Sequence, residues 1–77
     1  MYYVYTLKLE NNNFYTGFTN DLKRRIREHN RGEVNTTKNK SFILVSYTAF
    51  KNKSKAVQYE RYLNKGSGIA FRNRHLI

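Results

Sequence analysis

Arg25 and His29 stand one helical turn apart in the basic stretch DLKRRIREHN, residues 21–30. Side chains on an α-helix advance by about 100° per residue. With Leu22 at zero, Ile26 falls at about 40°, Arg25 near 300° and His29 near 340°, so these four share or border one face. Arg24, Arg27 and Arg31 fall between about 140° and 200°, on the opposite side. A run of charge on an outer face is ordinarily solvated and holds phosphate only in a general way. An arginine at the edge of an apolar face must instead snorkel, pair with an acid or line a site. For His29 alone, a hydrogen-bonded structural histidine is the ordinary reading.

Glu60 raises the complementary question. In the helix expected around it, with Ala56 at zero, Leu63 falls near 340° and Glu60 near about 40°, inside the apolar stripe. It is one of only 5 acidic residues in the chain. Glutamate is rarely buried without a partner, because an uncompensated charge there costs several kcal/mol. Two solutions fit: an ion pair with Arg25, or a divalent cation. Mg²⁺ commonly takes one or two protein carboxylates, keeps several waters and completes its shell with substrate phosphate. Tyr5 and Tyr15 complete the set, since hairpin pairing could bring them together near one end of a sheet. Most of the 7 tyrosines should nonetheless be core or edge residues.

These side chains need a frame. Residues 2–9, YYVYTLKL, are aromatic and β-branched and read as a strand. Tyr3, Tyr5, Leu7 and Leu9 share one face, with Tyr2, Val4 and Thr6 on the other. Both faces are largely apolar, which puts the strand in the middle of a sheet. ENNN is a turn signal and residues 14–18 the return strand, with Gly17 marking a bulge or a close backbone approach. Thr19 or Asn20 can cap the first helix and Gly32 can end it. Residues 33–41 read as a polar, basic loop and residues 41–50, SFILVSYTAF, as a third strand. Asn52 or Ser54 caps a second helix running to about Asn64. GSG at residues 66–68 breaks it, and a short last helix follows over residues 69–75. The order β-β-α-β-α-α predicts an α+β fold, a central three-stranded antiparallel sheet flanked by helices, in one domain over residues 1–77.

The chain carries 15 Lys/Arg against 5 Asp/Glu, a net charge of +10. That bias points to a polyanion: nucleic acid, DNA or RNA, first and an anionic membrane surface second. The absence of cysteine excludes disulfides and thiolate zinc sites and suits a reducing cytoplasm. No signal peptide is expected, and the longest apolar run, around Phe42 to Val45, is too short to span a membrane.

In order and spacing these features together resemble the GIY-YIG nuclease family, and its small single-domain members in particular. The first motif stands as Tyr3-Val4-Tyr5 and the second as Tyr15-Thr16-Gly17. Arg25 follows Tyr15 by ten residues and His29 comes one turn later. Glu60 lies in the helix after the third strand, and KGSGIAFRNRH resembles the C-terminal segment of one subgroup. Tyr3 replaces the glycine of the first motif and Thr16 the isoleucine of the second; neither change removes a reactive group. Asn73 is the one counterpart for the late asparagine of larger members. Those members also carry separate DNA-recognition domains, for which residues 1–77 offer no counterpart, so target choice is left open and a protein partner could supply it.

The resemblance implies Mg²⁺-dependent hydrolysis of DNA phosphodiesters, with Mn²⁺ as a substitute, in repair or recombination. Tyr5 or Tyr15 would act as base, its pKa drawn down by a cationic site. His29 is the alternative base. Arg25 would hold the non-bridging oxygens and Glu60 the metal. Arg24, Arg27, Arg31, Lys38, Lys40 and Arg72 would be general phosphate contacts. A nucleic-acid-binding module without turnover is the rival reading.

Overall fold

The computed structural model describes residues 1–77. Strand β1 (Tyr2–Leu9) and strand β2 (Phe14–Thr19) form a hairpin, followed by helix α1 (Leu22–Asn30). A 3₁₀ turn at Asn35–Thr37 leads to strand β3 (Phe42–Phe50), helix α2 (Lys53–Leu63) and helix α3 (Gly66–His75). The sheet order is β2-β1-β3, antiparallel throughout, so the expected order and fold class hold. No helix is long and apolar enough to cross a membrane.

β1 occupies the centre because it is apolar on both faces: Val4, Tyr5, Thr6 and Leu7 are all buried. Its alternation sends Val4 toward α2 and Tyr5 the other way. On the first side Val4, Ala56 and Leu63 form the core, with Tyr2, Phe18, Phe50, Tyr59 and Leu76 packed around it. Burying a leucine such as Leu63 contributes about 2 kcal/mol. On the second side α1 lies over the hairpin, and His29 packs edge-on against Tyr5, Tyr15 and Phe42.

Two helix boundaries differ from the sequence expectation. Asp21, rather than Thr19 or Asn20, is the N-cap of α1, its Oδ1 accepting from the Arg24 amide at 3.1 Å. Thr19 is drawn away because it is still paired in the sheet, opposite Tyr3. For α2 the cap is Asn52, one of the two residues expected, and it accepts from the Lys55 amide. The GSG segment does end α2, but α3 begins at Gly66 itself instead of at residue 69.

That early start depends on Gly68. A Cβ there would lie 1.6 Å from the carbonyl oxygen of Tyr62, which is backbone and cannot swing aside. Overpacking costs about 1–3 kcal/mol or more. Each kcal/mol moves the melting temperature of so small a domain by about 4–8 °C. Gly68→Ala is therefore expected to melt about 10 °C or more below the parent in a thermal scan. An unchanged melting temperature would mean that the α2–α3 junction is not the tight contact described.

Candidate active site

The hairpin register sets Tyr5 opposite Gly17 and Leu7 opposite Tyr15, so both tyrosines project from the face covered by α1. Their rings lie 6.1 Å apart. Gly17 is the vacancy that admits the Tyr5 phenol: a Cβ at that position would stand 2.5 Å from its oxygen and 2.9 Å from the Tyr15 ring. The close approach expected of this glycine is thus a side-chain one, and β2 has no bulge there.

α1 brings two groups to that phenol. The Tyr5 hydroxyl lies 2.8 Å from His29 Nε2, and Arg25 Nε donates to it at 3.4 Å. On its other nitrogen, His29 Nδ1 meets Thr37 Oγ1 at 2.6 Å. The hydrogens can be assigned by counting. Thr37 has an acceptor for its own proton in the Val34 carbonyl, at 3.5 Å, so its oxygen accepts from Nδ1–H. A neutral imidazole is then bare at Nε2, which accepts from the Tyr5 hydroxyl. The result is one chain of donors, Arg25 to Tyr5 to His29 to Thr37, with no buried polar side-chain atom left unsatisfied.

The electrostatics of this chain correct one expectation. The Tyr5 pKa is raised, not drawn down. Burial is the largest cause; the Arg25 hydrogen bond and charge oppose it without prevailing, while the Tyr15 phenol raises it further. Tyr5 is 0% exposed, so its phenolate would have little water to solvate it. His29, 2% exposed, is shifted the other way. Burial chiefly, and then the Arg25 charge, hold its pKa below the ordinary value of 6.5, against a smaller upward pull from Glu28. The folded state therefore keeps His29 neutral where the unfolded chain would take up a proton. Stability from this group is complete above about pH 6.5 and is lost as pH falls below it toward the lowered folded value. The melting temperature is expected to decline from pH 6.5 to 5, above the ordinary carboxylate range, and His29→Asn should flatten that decline.

Arg25 is not free. Its Nη1 donates to Glu28 Oε1 at 3.0 Å, while Arg24 approaches Glu28 Oε2 at 3.7 Å. Of the two solutions open for Glu60, the ion pair with Arg25 does not form; the partner of Arg25 is Glu28, at the ordinary i, i+3 helix spacing. Together Arg24, Arg25, Glu28 and Lys53 line a cavity of about 310 Å³ with Tyr2, Phe18, Thr19 and Asn20. Arg24 is exposed, as expected, yet it opens onto the same cavity as Arg25. Arg31 and Lys40 line a second polar cavity of about 390 Å³ beside His29, whereas Arg27 and Lys38 are exposed.

Glu60 is half-buried instead of sealed in the core. It forms no ion pair; its Oε2 accepts from Asn64 Nδ2 at 2.6 Å, and its Oε1 has no protein partner. No group of three or more His, Cys, Asp or Glu side chains forms a ready-made metal cage. With Oε2 held by Asn64, Glu60 offers a cation one carboxylate, the donor that an ion completing its shell with water and phosphate, as Mg²⁺ does, takes from a protein. Asn73 does not join the tyrosine cluster: it sits exposed on α3, its Oδ1 accepting from Arg72 Nε and Nη2 at 3.3 and 3.2 Å. Arg72 is likewise engaged, stacked over Phe14 at 5.3 Å. The sequence reading missed Glu28, Asn64 and Thr37. Helical spacing could have found the first two, but nothing local points to Thr37.

Residues 1–69 match the GIY-YIG catalytic domain. Among relatives, the UPF0213 protein CPE1444 of Clostridium perfringens is 40% identical over 67 residues, 84% of this chain and 72% of its own. The solution structure of the UPF0213 protein BH0048 from Bacillus halodurans superposes with a TM-score of 0.61 at 33% identity, covering 95% of this chain and 81% of that one. The solution structure of EF2693 from E. faecalis gives the same TM-score, 0.61, at 26% identity, over 99% and 88% of the two chains. Profile, relatives and fold agree with the motif residues just placed, and the chain belongs to the GIY-YIG family of nuclease domains.

Proposed function

We propose that the protein is a Mg²⁺-dependent DNA endonuclease, with Mn²⁺ able to substitute. It hydrolyses phosphodiester bonds with structure selectivity or weak sequence preference and serves DNA repair or recombination in the cytoplasm. One observation carries the reading beyond the family. A buried phenol, Tyr5, is held between a guanidinium at 3.4 Å and a bare imidazole nitrogen at 2.8 Å. A purely structural tyrosine does not need both a cation and a proton acceptor on its oxygen.

Each residue then has a task. Arg25, at the wall of a cavity it shares with Arg24 and Lys53, holds non-bridging phosphate oxygens and stabilises the charge that builds during transfer. Because Tyr5 stays protonated, it works as a relay and not as a standing phenolate. The water that attacks phosphorus gives up a proton to the half-buried Tyr15 phenol, which passes its own to the Tyr5 oxygen as the Tyr5 proton passes to His29 Nε2. His29 can accept because its other nitrogen already bears hydrogen, donated to Thr37. Glu28 tempers the cost of a second cation beside Arg25. Glu60, its carboxylate steadied by Asn64, is the residue that would hold the metal. When bound, the metal supplies Lewis-acid polarisation of the phosphate. Arg31, Lys38 and Lys40 add general phosphate contacts.

The test compares wild type with Glu60→Ala on single-stranded, duplex, flapped and branched DNA in Mg²⁺, Mn²⁺ or chelator. Wild type is expected to cleave only with metal, and the variant to lose cleavage while still binding. If neither cleaves and both bind, the +10 charge serves a binding module without turnover.

A further inference from the structure

The sheet face that carries the tyrosine cluster continues past it onto the edge strand β3. There the register sets Tyr47 directly opposite Tyr5 and Ala49 opposite Tyr3. Directly opposed residues project from the same face. The two phenols diverge: Tyr5 leans toward Gly17 of β2, whereas Tyr47 stands over the open side of the sheet. Tyr47 is 57% exposed, and its one aromatic neighbour is the Tyr3 ring, edge-on at 6.3 Å. Tyr3, Tyr47, Leu22 and Lys23, with the Asn20–Asp21 turn, enclose a cavity of about 330 Å³. Asn20 lines both this cavity and the one containing Arg24 and Arg25, so the two flank the first turn of α1 on either side.

We infer that this cavity beside Tyr3 and Tyr47 binds one unstacked nucleobase of the DNA, stacked on Tyr47, with Lys23 against the adjoining phosphate. The identity of the polymer rests on the nuclease reading; the stacking itself does not require turnover. The physical case has three parts. An exposed aromatic ring on the site face is a sequence-tolerant surface for any base. The lining carries one cation, Lys23, and one acid, Asp21, whose Oδ1 is engaged as the cap of α1, in a chain of net charge +10. A second copy of this chain is the poorer occupant, because each copy carries +10 and the two would repel. A base paired within a duplex cannot reach such a cavity, so the substrate class is single-stranded, flapped or otherwise unpaired DNA.

The experiment measures binding in chelator, where no metal-dependent cleavage can intervene. The probe is a single-stranded oligonucleotide carrying 2-aminopurine, and the control is the same sequence as a duplex. Wild type is expected to change the 2-aminopurine emission on binding. Tyr47→Ala should bind the single strand about 10- to 100-fold more weakly, the loss of one stacked base, with duplex affinity and salt slope unchanged. Tyr47→Phe should bind like wild type, since the ring and not the hydroxyl is the contact. Lys23→Ala should lower the single-strand salt slope by about 0.7. The inference is overturned if Tyr47→Ala binds the single strand as wild type does, or loses equally for both forms. It is also overturned if sedimentation shows a dimer that Tyr47→Ala dissociates, which would assign the face to a second copy. Failure of the nuclease reading looks different: no cleavage by wild type under any metal, with the Tyr47 discrimination in binding intact.

Discussion

Arg25→Ala is expected to cut kcat by about a hundred- to a thousandfold while leaving DNA binding nearly intact. The size follows from the role. Removing one preorganised donor aimed at developing charge costs about 10²–10³ in rate in comparable sites. The selectivity follows from arithmetic. Arg25 is one of 15 lysines and arginines, so its loss lowers the duplex salt slope by no more than about 0.9. The fold should tolerate the change. The ion pair it forms with Glu28 is partly exposed, and such pairs contribute about 0–1 kcal/mol. Arg24 also remains within 3.7 Å of Glu28. Single-turnover cleavage on the best substrate, set beside an equilibrium binding titration, separates the two effects. A variant that cleaves at the wild-type rate would remove Arg25 from the mechanism. A variant that loses binding in proportion would make it an ordinary phosphate contact, like its neighbours on the outer face.

Tyr5→Phe is the second large effect, and it should appear in two measurements at once. The substitution keeps the ring that packs against Tyr15 and His29 and deletes only the oxygen. Positioned proton transfer is worth about 10²–10⁴ in rate, so kcat should fall within that range. Stability should fall too, by about 1–3 kcal/mol, because the bare Nε2 of a buried histidine is left without a donor. A merely structural tyrosine would produce the second loss without the first. The discriminating readout is therefore kcat measured well below the melting temperature, where both proteins are folded. Wild-type kcat in a destabilised variant would end the relay assignment. Mild acid should act on the same chain. Protonating His29 removes the acceptor for the Tyr5 proton, so the rate should decline as pH falls through the lowered folded-state pKa of His29, at a more acid pH than the one where stability begins to fall.

Much of this arrangement was legible in the chain itself, and the reason is periodicity. Residues 2–9 alternate apolar types on both faces, and that alone puts the strand at the centre of the sheet. The 100° step of a helix singles out Arg25 and His29 from the other basic residues around them, and both turn toward the sheet. Glu60 looked anomalous on the same wheel, and it does occupy a half-buried place. Of its two possible partners, Arg25 is taken by an acid on its own helix, Glu28, one turn along. Local competition of this kind was readable from i, i+3 spacing.

Other features had no local signal. Thr37 lies in a stretch that reads only as polar loop, yet it fixes the hydrogen on His29, eight positions earlier in the chain. That contact exists because a 3₁₀ turn folds back over the end of α1, and no periodic pattern encodes the return. The direction of the Tyr5 shift was likewise out of reach. A nearby arginine lowers a phenol pKa and burial raises it, and only the packed structure decides which dominates. The place of Tyr47 depends on the pairing of two strands separated by some forty residues. The sequence by itself determined the elements, the order of the fold and which residues share a face, since those follow from the chain's own repeat angles. Tertiary structure alone decided which hydrogens are held where, which charges are screened from water and which cavities adjoin, since those depend on distances between segments far apart in the chain.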